Sequence, residues 1–246
     1  MANIVLVHGA WHGSWCYRDT AKALRAMGHD VFTPTHTGVG SRFHLSAETI
    51  TLETHVRDVL GCIEAEELTD IILCGHSYGG MVITCVADRI PERVRAIVYI
   101  DAFVPEDGET LVDLIHKSLP ADIAPLFIDS WRESARHDHS GMIQPITAET
   151  FGIEPENRAW VDRRSRPQSF ATFNAPALLS HPGHPIRDRH FLLATKWAPS
   201  PFQYYADKFR HDPAWRVVDM ATGHDIMVDM PGELAAEIDR VATSKR

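Results

Sequence analysis

A serine hydroxyl becomes a nucleophile when the backbone presents it clear of its neighbours and a base takes its proton. Gly75-His76-Ser77-Tyr78-Gly79 supplies the first condition. The G-x-S-x-G pattern follows the strand-like run Ile71-Ile72-Leu73-Cys74 and precedes helical residues from Met81 to Arg89. A strand turning sharply into a helix forces the serine into strained geometry, and side chains at the flanking positions would collide, which explains the glycines. Ser77 Oγ then stands at the positive end of the helix.

Position selects the base among 15 histidines. His224, in Ala221-Thr222-Gly223-His224-Asp225, follows the last expected strand, where a loop returns across the carboxyl edge of a parallel sheet. A tetrahedral intermediate needs two amide donors. His8-Gly9-Ala10-Trp11-His12-Gly13 follows the first strand, so the N–H groups of Ala10 and Tyr78 are the expected pair. The acid is less direct, because the loop after the fifth strand, Thr195 to Pro201, holds no carboxylate. Asp101 ends the fourth strand, beside the strand bearing Ser77, and is expected to hold the His224 tautomer. The competing reading makes Asp101 a helix cap or loop acid. Asp219 and Asp225 are the other carboxylates near the base, and Asp225 is poorly placed to reach its own neighbour's ring.

These groups need a parallel sheet covered by helices, and β-branched runs alternating with amphipathic segments predict one. Strands are expected at 3–8, 30–33, 70–75, 94–101, 189–194 and 215–219, with helices at 14–27 (Ser14 as cap), 52–67, 78–89, 202–209 and 231–242. Between residues 104 and 187 the rhythm breaks. The expected organisation is a core of residues 1–104 and 188–246 with a partly helical cap, 105–187, inserted after the fourth strand, and 135–141 as a loop. Trp11, Phe103, Trp131 and Trp160 are expected to line a substrate pocket, with Trp15, Met142, Phe170 and Phe173 as further apolar candidates and His12 and His36 at its mouth.

Composition narrows the classes. The 246 residues are 44% apolar and 23% charged, enough to bury one large core, and the net charge of -9 offers no grip on nucleic acid. Four cysteines at spacings that fit neither a redox pair nor a zinc ribbon read as buried thiols. With no leader-like N-terminus and no apolar run of roughly 20 residues, a cytoplasmic protein without membrane contact is expected. His137-Asp138-His139 and His181 with His184 lie in loops without a full ligand set, so no metal is expected. The charged run 158–166 reads as a solvated face. Oligomeric state stays open, a homodimer included.

VLVHGAWHGSW near the start, GHSYGG, YIDAFVP and GHD resemble the α/β-hydrolase superfamily, in the small branch of plant methylesterases, hydroxynitrile lyases and bacterial carboxylesterases, pyrethroid-hydrolysing ones included. The likeness covers residues 3 to about 115 and 189 to 242. It implies a six-stranded, mainly parallel sheet, no cofactor, Ser77 as nucleophile, His224 as base and Ala10 with Tyr78 as oxyanion donors. Many members carry the acid after the fifth strand; Asp101 instead resembles the acid of haloalkane dehalogenases. The expected activity is hydrolysis of a small to medium, largely apolar ester. Family lyases place Lys after the base and Thr in the oxyanion loop, where this chain has Asp225 and Ala10, which disfavours cyanohydrin cleavage; a non-catalytic receptor on the same fold is the reading from another class.

Overall fold

A computed structural model describes residues 1–137, 140–181 and 184–244. The first half alternates strand and helix: β1 (Asn3–Val7), α1 (Arg18–Ala26), β2 (Asp30–Phe32), α2 (Leu52–Ala65), β3 (Ile71–Ser77), α3 (Gly79–Arg89) and β4 (Val94–Ala102). Then come α4 (Leu111–Ser118), α5 (Ala124–His137), β5 (Met142–Ile143), α6 (Pro155–Asp162), β6 (Gln168–Ser169) and α7 (Ala171–Asn174). The alternation resumes with β7 (Asp188–Ala194), α8 (Phe202–Arg210), β8 (Trp215–Met220), α9 (Ile226–Asp229) and α10 (Pro231–Thr243).

Six strands form one sheet in the order β2-β1-β3-β4-β7-β8, every neighbouring pair parallel. The short β5–β6 pair is antiparallel and separate. Strand periodicity divides the core. Val5, Val7, Ile71, Leu73, Ile97 and Tyr99 face the layer that holds α2 and α3, whereas Ile4, Leu6, Ile72, Cys74, Val98 and Ile100 face α1 and α10. Burial on both faces explains why β1, β3 and β4 read as nearly continuous apolar runs.

Three local expectations are corrected. Ser14 caps nothing: residues 14–17 form a 3-10 turn, and the Ser14 N–H donates to Thr35 Oγ1 at 3.1 Å. Ala135 to His137 belong to α5, because Trp131 and Ile128 bury one face of that helix and carry its polar end along. Cys16, Cys74 and Cys85 are buried free thiols, but Cys62 is half-exposed on α2. No helix among the described residues is long and apolar enough to cross a membrane.

Candidate active site

Ser77 ends β3 with φ 53°, a left-handed backbone that costs a side-chain-bearing residue of order 1 kcal/mol or more. The glycines around it are there for space. A Cβ on Gly75 would sit 2.8 Å from the Gly79 carbonyl oxygen, and one on Gly79 would sit 2.7 Å from that of Val7. The sheet and α3 can therefore close on each other only with hydrogen atoms at both positions, and this closeness turns the chain sharply at Ser77.

His224 lies beyond β8, and its backbone N–H donates to the Phe151 carbonyl at 2.9 Å, so the segment between β4 and β7 holds the loop in place. Its Nδ1 is 2.7 Å from Asp101 Oδ2. Asp101 Oδ1 accepts from the Ala194 N–H at 3.0 Å, which fixes the carboxylate between β4 and β7. Asp101 also has a left-handed backbone, φ 43°. Burial drives the His224 pKa down to about 3, so the ring is neutral at ordinary pH; its one proton on Nδ1 faces Asp101 and Nε2 keeps a lone pair. Burial pushes the Asp101 carboxyl upward, against the donation from Ala194. Phe202 stacks on the imidazole with ring centroids 5.1 Å apart, and Trp197 and Phe151 flank it at 4.6 and 4.8 Å.

Of the three candidate acids, only Asp101 meets the His224 ring. Asp219 points outward to Arg210, and Asp225 turns away to His12.

Ala10, Tyr78, Ser77 and His224 border one cavity with Trp11, Phe103, Trp131, Phe173 and Phe202. Its open volume is about 40 Å³, room for more than one water. Trp11, with φ 62°, is clamped by the stretch between β4 and β7. Its N–H donates to Gln168 Oε1 at 3.0 Å, its carbonyl accepts from Arg166 N at 2.9 Å, and its indole N–H donates to the Ile143 carbonyl at 3.2 Å.

Trp160 does not belong to this cavity. It packs edge-on against Trp15 at 5.0 Å with the Arg164 guanidinium over its ring, because α6 turns that face outward. Trp15, Met142 and Phe170 also lie off the cavity lining. His12 and His36 are buried rather than at a mouth, and His36 stacks on His55 at 4.5 Å with His8 tilted against it at 4.2 Å. His181 is taken by Asp88 and His184 by the Tyr99 hydroxyl. Asp138 and His139 lie outside the described residues. His76, His224 and Asp225 bring ligand-type atoms within 4.8 Å of one another, but His76 Nε2 donates to the His224 carbonyl. Gln168, Phe151, Trp197 and Phe202 escaped the sequence reading. Only the two aromatics near the fifth strand, Trp197 and Phe202, carried any signal for their place.

The model of the alpha/beta hydrolase family matches residues 4–237, nearly the whole chain. The chain belongs to the alpha/beta hydrolase family. The chain is 58% identical to the carbendazim hydrolyzing esterase of Nocardioides sp. (strain SG-4G), over 97% of this chain and 98% of that one. It is 25% identical to salicylic acid-binding protein 2 of Nicotiana tabacum, over 68% of this chain and 67% of that one. Among solved structures, an extracellular alpha/beta-hydrolase from a Paenibacillus species aligns with TM-score 0.78 at 23% identity, covering 100% of both chains. A pyrethroid hydrolase from Sphingobium faniae JZ-2 aligns with TM-score 0.75 at 24% identity over 98% of both. At those identities the two structures speak to the fold.

Proposed function

We propose that this α/β hydrolase is a serine carboxylesterase that works through an acyl-enzyme. Carboxylesterase-type hydrolysis follows from the family and from the esterase with which it shares 58% of its residues. The serine mechanism rests chiefly on the 2.7 Å contact between His224 Nδ1 and Asp101 Oδ2, at a cavity that also receives Ser77. Ser77 Oγ attacks the ester carbonyl carbon as its proton passes to His224 Nε2. The oxyanion takes the N–H groups of Ala10 and Tyr78, and the imidazolium, steadied by Asp101, protonates the leaving alkoxide. Water then attacks the acyl-enzyme, giving its proton to the same nitrogen, and Ser77 is released with the acid.

The substrate we propose is a small to medium, neutral ester or carbamate with a flat aromatic portion. Aromatic side chains dominate the lining, and Ser77 and His224 are its hydrophilic side chains. The relative at 58% identity is by name a carbendazim hydrolyzing esterase. We assign to residues 105–187 the role of a cap over a core of 1–104 and 188–246. Four unpaired cysteines fit a reducing, cytoplasmic setting.

The test is Ser77→Ala. Turnover of an aryl ester and labelling by a serine-directed phosphonate should both vanish while the circular dichroism stays that of the wild type. Retained turnover would sink the nucleophile and with it the mechanism. A wild-type protein that binds esters, neither hydrolyses them nor takes the label, would be a receptor. Cyanohydrin cleavage is disfavoured because the residue after the base is Asp225, whose carboxylate engages His12.

A further inference from the structure

His12 follows Ala10 by two residues and stays out of the cavity. Its side chain is 3% exposed and stacks on Trp15 with ring centroids 5.0 Å apart. Both ring nitrogens are engaged. Nδ1 lies 2.6 Å from the Ala10 carbonyl oxygen, and Nε2 lies 2.7 Å from Asp225 Oδ2. A carbonyl and a carboxylate oxygen only accept, and a neutral imidazole carries one N–H. Two donations require the imidazolium.

The carboxylate it meets is fully buried and stands next to the base. Among the described residues Asp225 Oδ1 has no hydrogen-bond partner, and it lies 3.7 Å from His76 Nε2, which donates instead to the His224 carbonyl. Removing the His12 charge would leave a buried carboxylate uncompensated at the base loop.

We propose that His12 is a positioning residue held as an imidazolium, which ties the oxyanion loop at Ala10 to Asp225 and so sets the amide donors against the base. The inference rests on the roles proposed above for Ala10 and His224. The groups that act on His12 are Asp225 and His224 from the loop after β8, His76 from β3, His8 from its own loop and Trp15 from the 3-10 turn, whose Cys16 acts on Asp225. Burial holds His8, His76 and His224 neutral and pushes the Cys16 thiol up. Burial also pulls His12 down, but the charge and hydrogen bond of Asp225 outweigh it and the net shift is upward. The mirror-image balance leaves Asp225 below the usual carboxylate range. The two acceptor oxygens hold the proton in place; when it is lost at higher pH, one of them comes to face a nitrogen lone pair and the tether breaks.

Imidazole ¹⁵N spectra and pH profiles of kcat on a neutral aryl ester test this in the full-length protein. At pH 6.5 wild type should show an imidazole with protons on both nitrogens that is absent from His12→Phe, and kcat should fall at higher pH as those signals disappear. In Asp225→Asn the side-chain amide donates to Nε2, so a neutral His12 protonated on Nδ1 suffices. One N–H should remain and the alkaline fall in kcat should vanish, with turnover slower than wild type. His12→Phe keeps a ring against Trp15 and should lose about a hundredfold in kcat with little change in KM. A singly protonated His12 at pH 6.5, an unchanged alkaline limb in Asp225→Asn, or wild-type kcat in His12→Phe would each overturn the proposal. If His12→Phe does not fold, the spectra and Asp225→Asn still decide. The spectra are independent of turnover, so an active Ser77→Ala would refute the esterase mechanism and leave the His12 protonation result standing.

Discussion

Asp101 meets the His224 ring at 2.7 Å from the end of β4, two strands away from the strand that leads into His224. The short reach is possible because Asp101 has a left-handed backbone and its second oxygen is fixed by the Ala194 N–H. Asp101→Asn should therefore preserve the fold, since Asn tolerates φ 43° better than most residues. It should favour the wrong imidazole tautomer and remove the charge that stabilises the imidazolium, with a loss approaching 10⁴-fold, about 5 kcal/mol, in turnover. Asp219→Asn, on the surface beside Arg210, should stay near wild type. Steady-state rates of the two variants separate these outcomes, and a severe loss at Asp219 with a mild one at Asp101 would reverse the assignment.

Gln168 is the buried partner of the Trp11 N–H, and its own amide donates to Thr172 Oγ1 at 2.8 Å, which fixes its orientation. Gln168→Leu strands that N–H, a penalty of about 1–3 kcal/mol, at a residue already held at φ 62°. We expect a lower melting temperature and at least about a tenfold drop in kcat with KM nearly constant, equivalent to roughly 1.4 kcal/mol of transition-state stabilisation. Wild-type kcat in this variant would show that the proposed oxyanion donor at Ala10 does not depend on the clamp at Trp11.

Selectivity should follow the lining. With aromatic walls and, among the described residues, no cationic side chain at the cavity, a neutral methyl ester should be turned over at least about tenfold faster, in kcat/KM, than its carboxylate-bearing analogue. The reverse order would point to an anion clamp supplied by residues that the cavity does not contain in this conformation.

Acid should destabilise the protein early. Burial lowers His8 and His224 to about 3 and His55 to about 4, all from 6.5. Between those values and 6.5 the unfolded chain binds protons that the folded one refuses, so stability falls as pH falls, by up to about 1.4 kcal/mol per pH unit for each ring. The raised pKa of His12 acts oppositely: its contribution is complete below 6.5 and is lost as pH rises through the folded value. Urea unfolding should give a maximum near neutral pH and a drop of several kcal/mol by pH 5. A flat profile from pH 7 to 5 would show that these rings are not buried and neutral.

Two glycines should respond in opposite directions. A Cβ on Gly80 would sit 2.0 Å from the Phe103 carbonyl oxygen, whereas one on Gly61 in α2 meets nothing within 4 Å. Gly80→Ala should push α3 off β4 and cost more than about 3 kcal/mol, like other overpacked cores. Gly61→Ala should stabilise by about 0.5–1 kcal/mol through helix propensity, a shift that thermal melts can read.

The sequence alone carried the six strands of the sheet and the main helices outside residues 104–187, because alternation in the strands, 3.6-residue spacing in the helices and glycines around Ser77 are properties of near neighbours. It also singled out Asp101, since the loop from Thr195 to Pro201 lacks any carboxylate. Placing residues 12 and 225, 168 and 11, or 151 and 224 in contact was beyond it. Those pairs are 213, 157 and 73 positions apart, and they meet only because the order β2-β1-β3-β4-β7-β8 gathers the carboxyl ends of the strands while the stretch between β4 and β7 folds back over them. Trp160 shows the same division from the other side: its type suggested a pocket wall, and the rotation of α6 against Trp15 decided otherwise. Which face of a short helix turns inward depends on what packs against it, and that partner is remote in the chain.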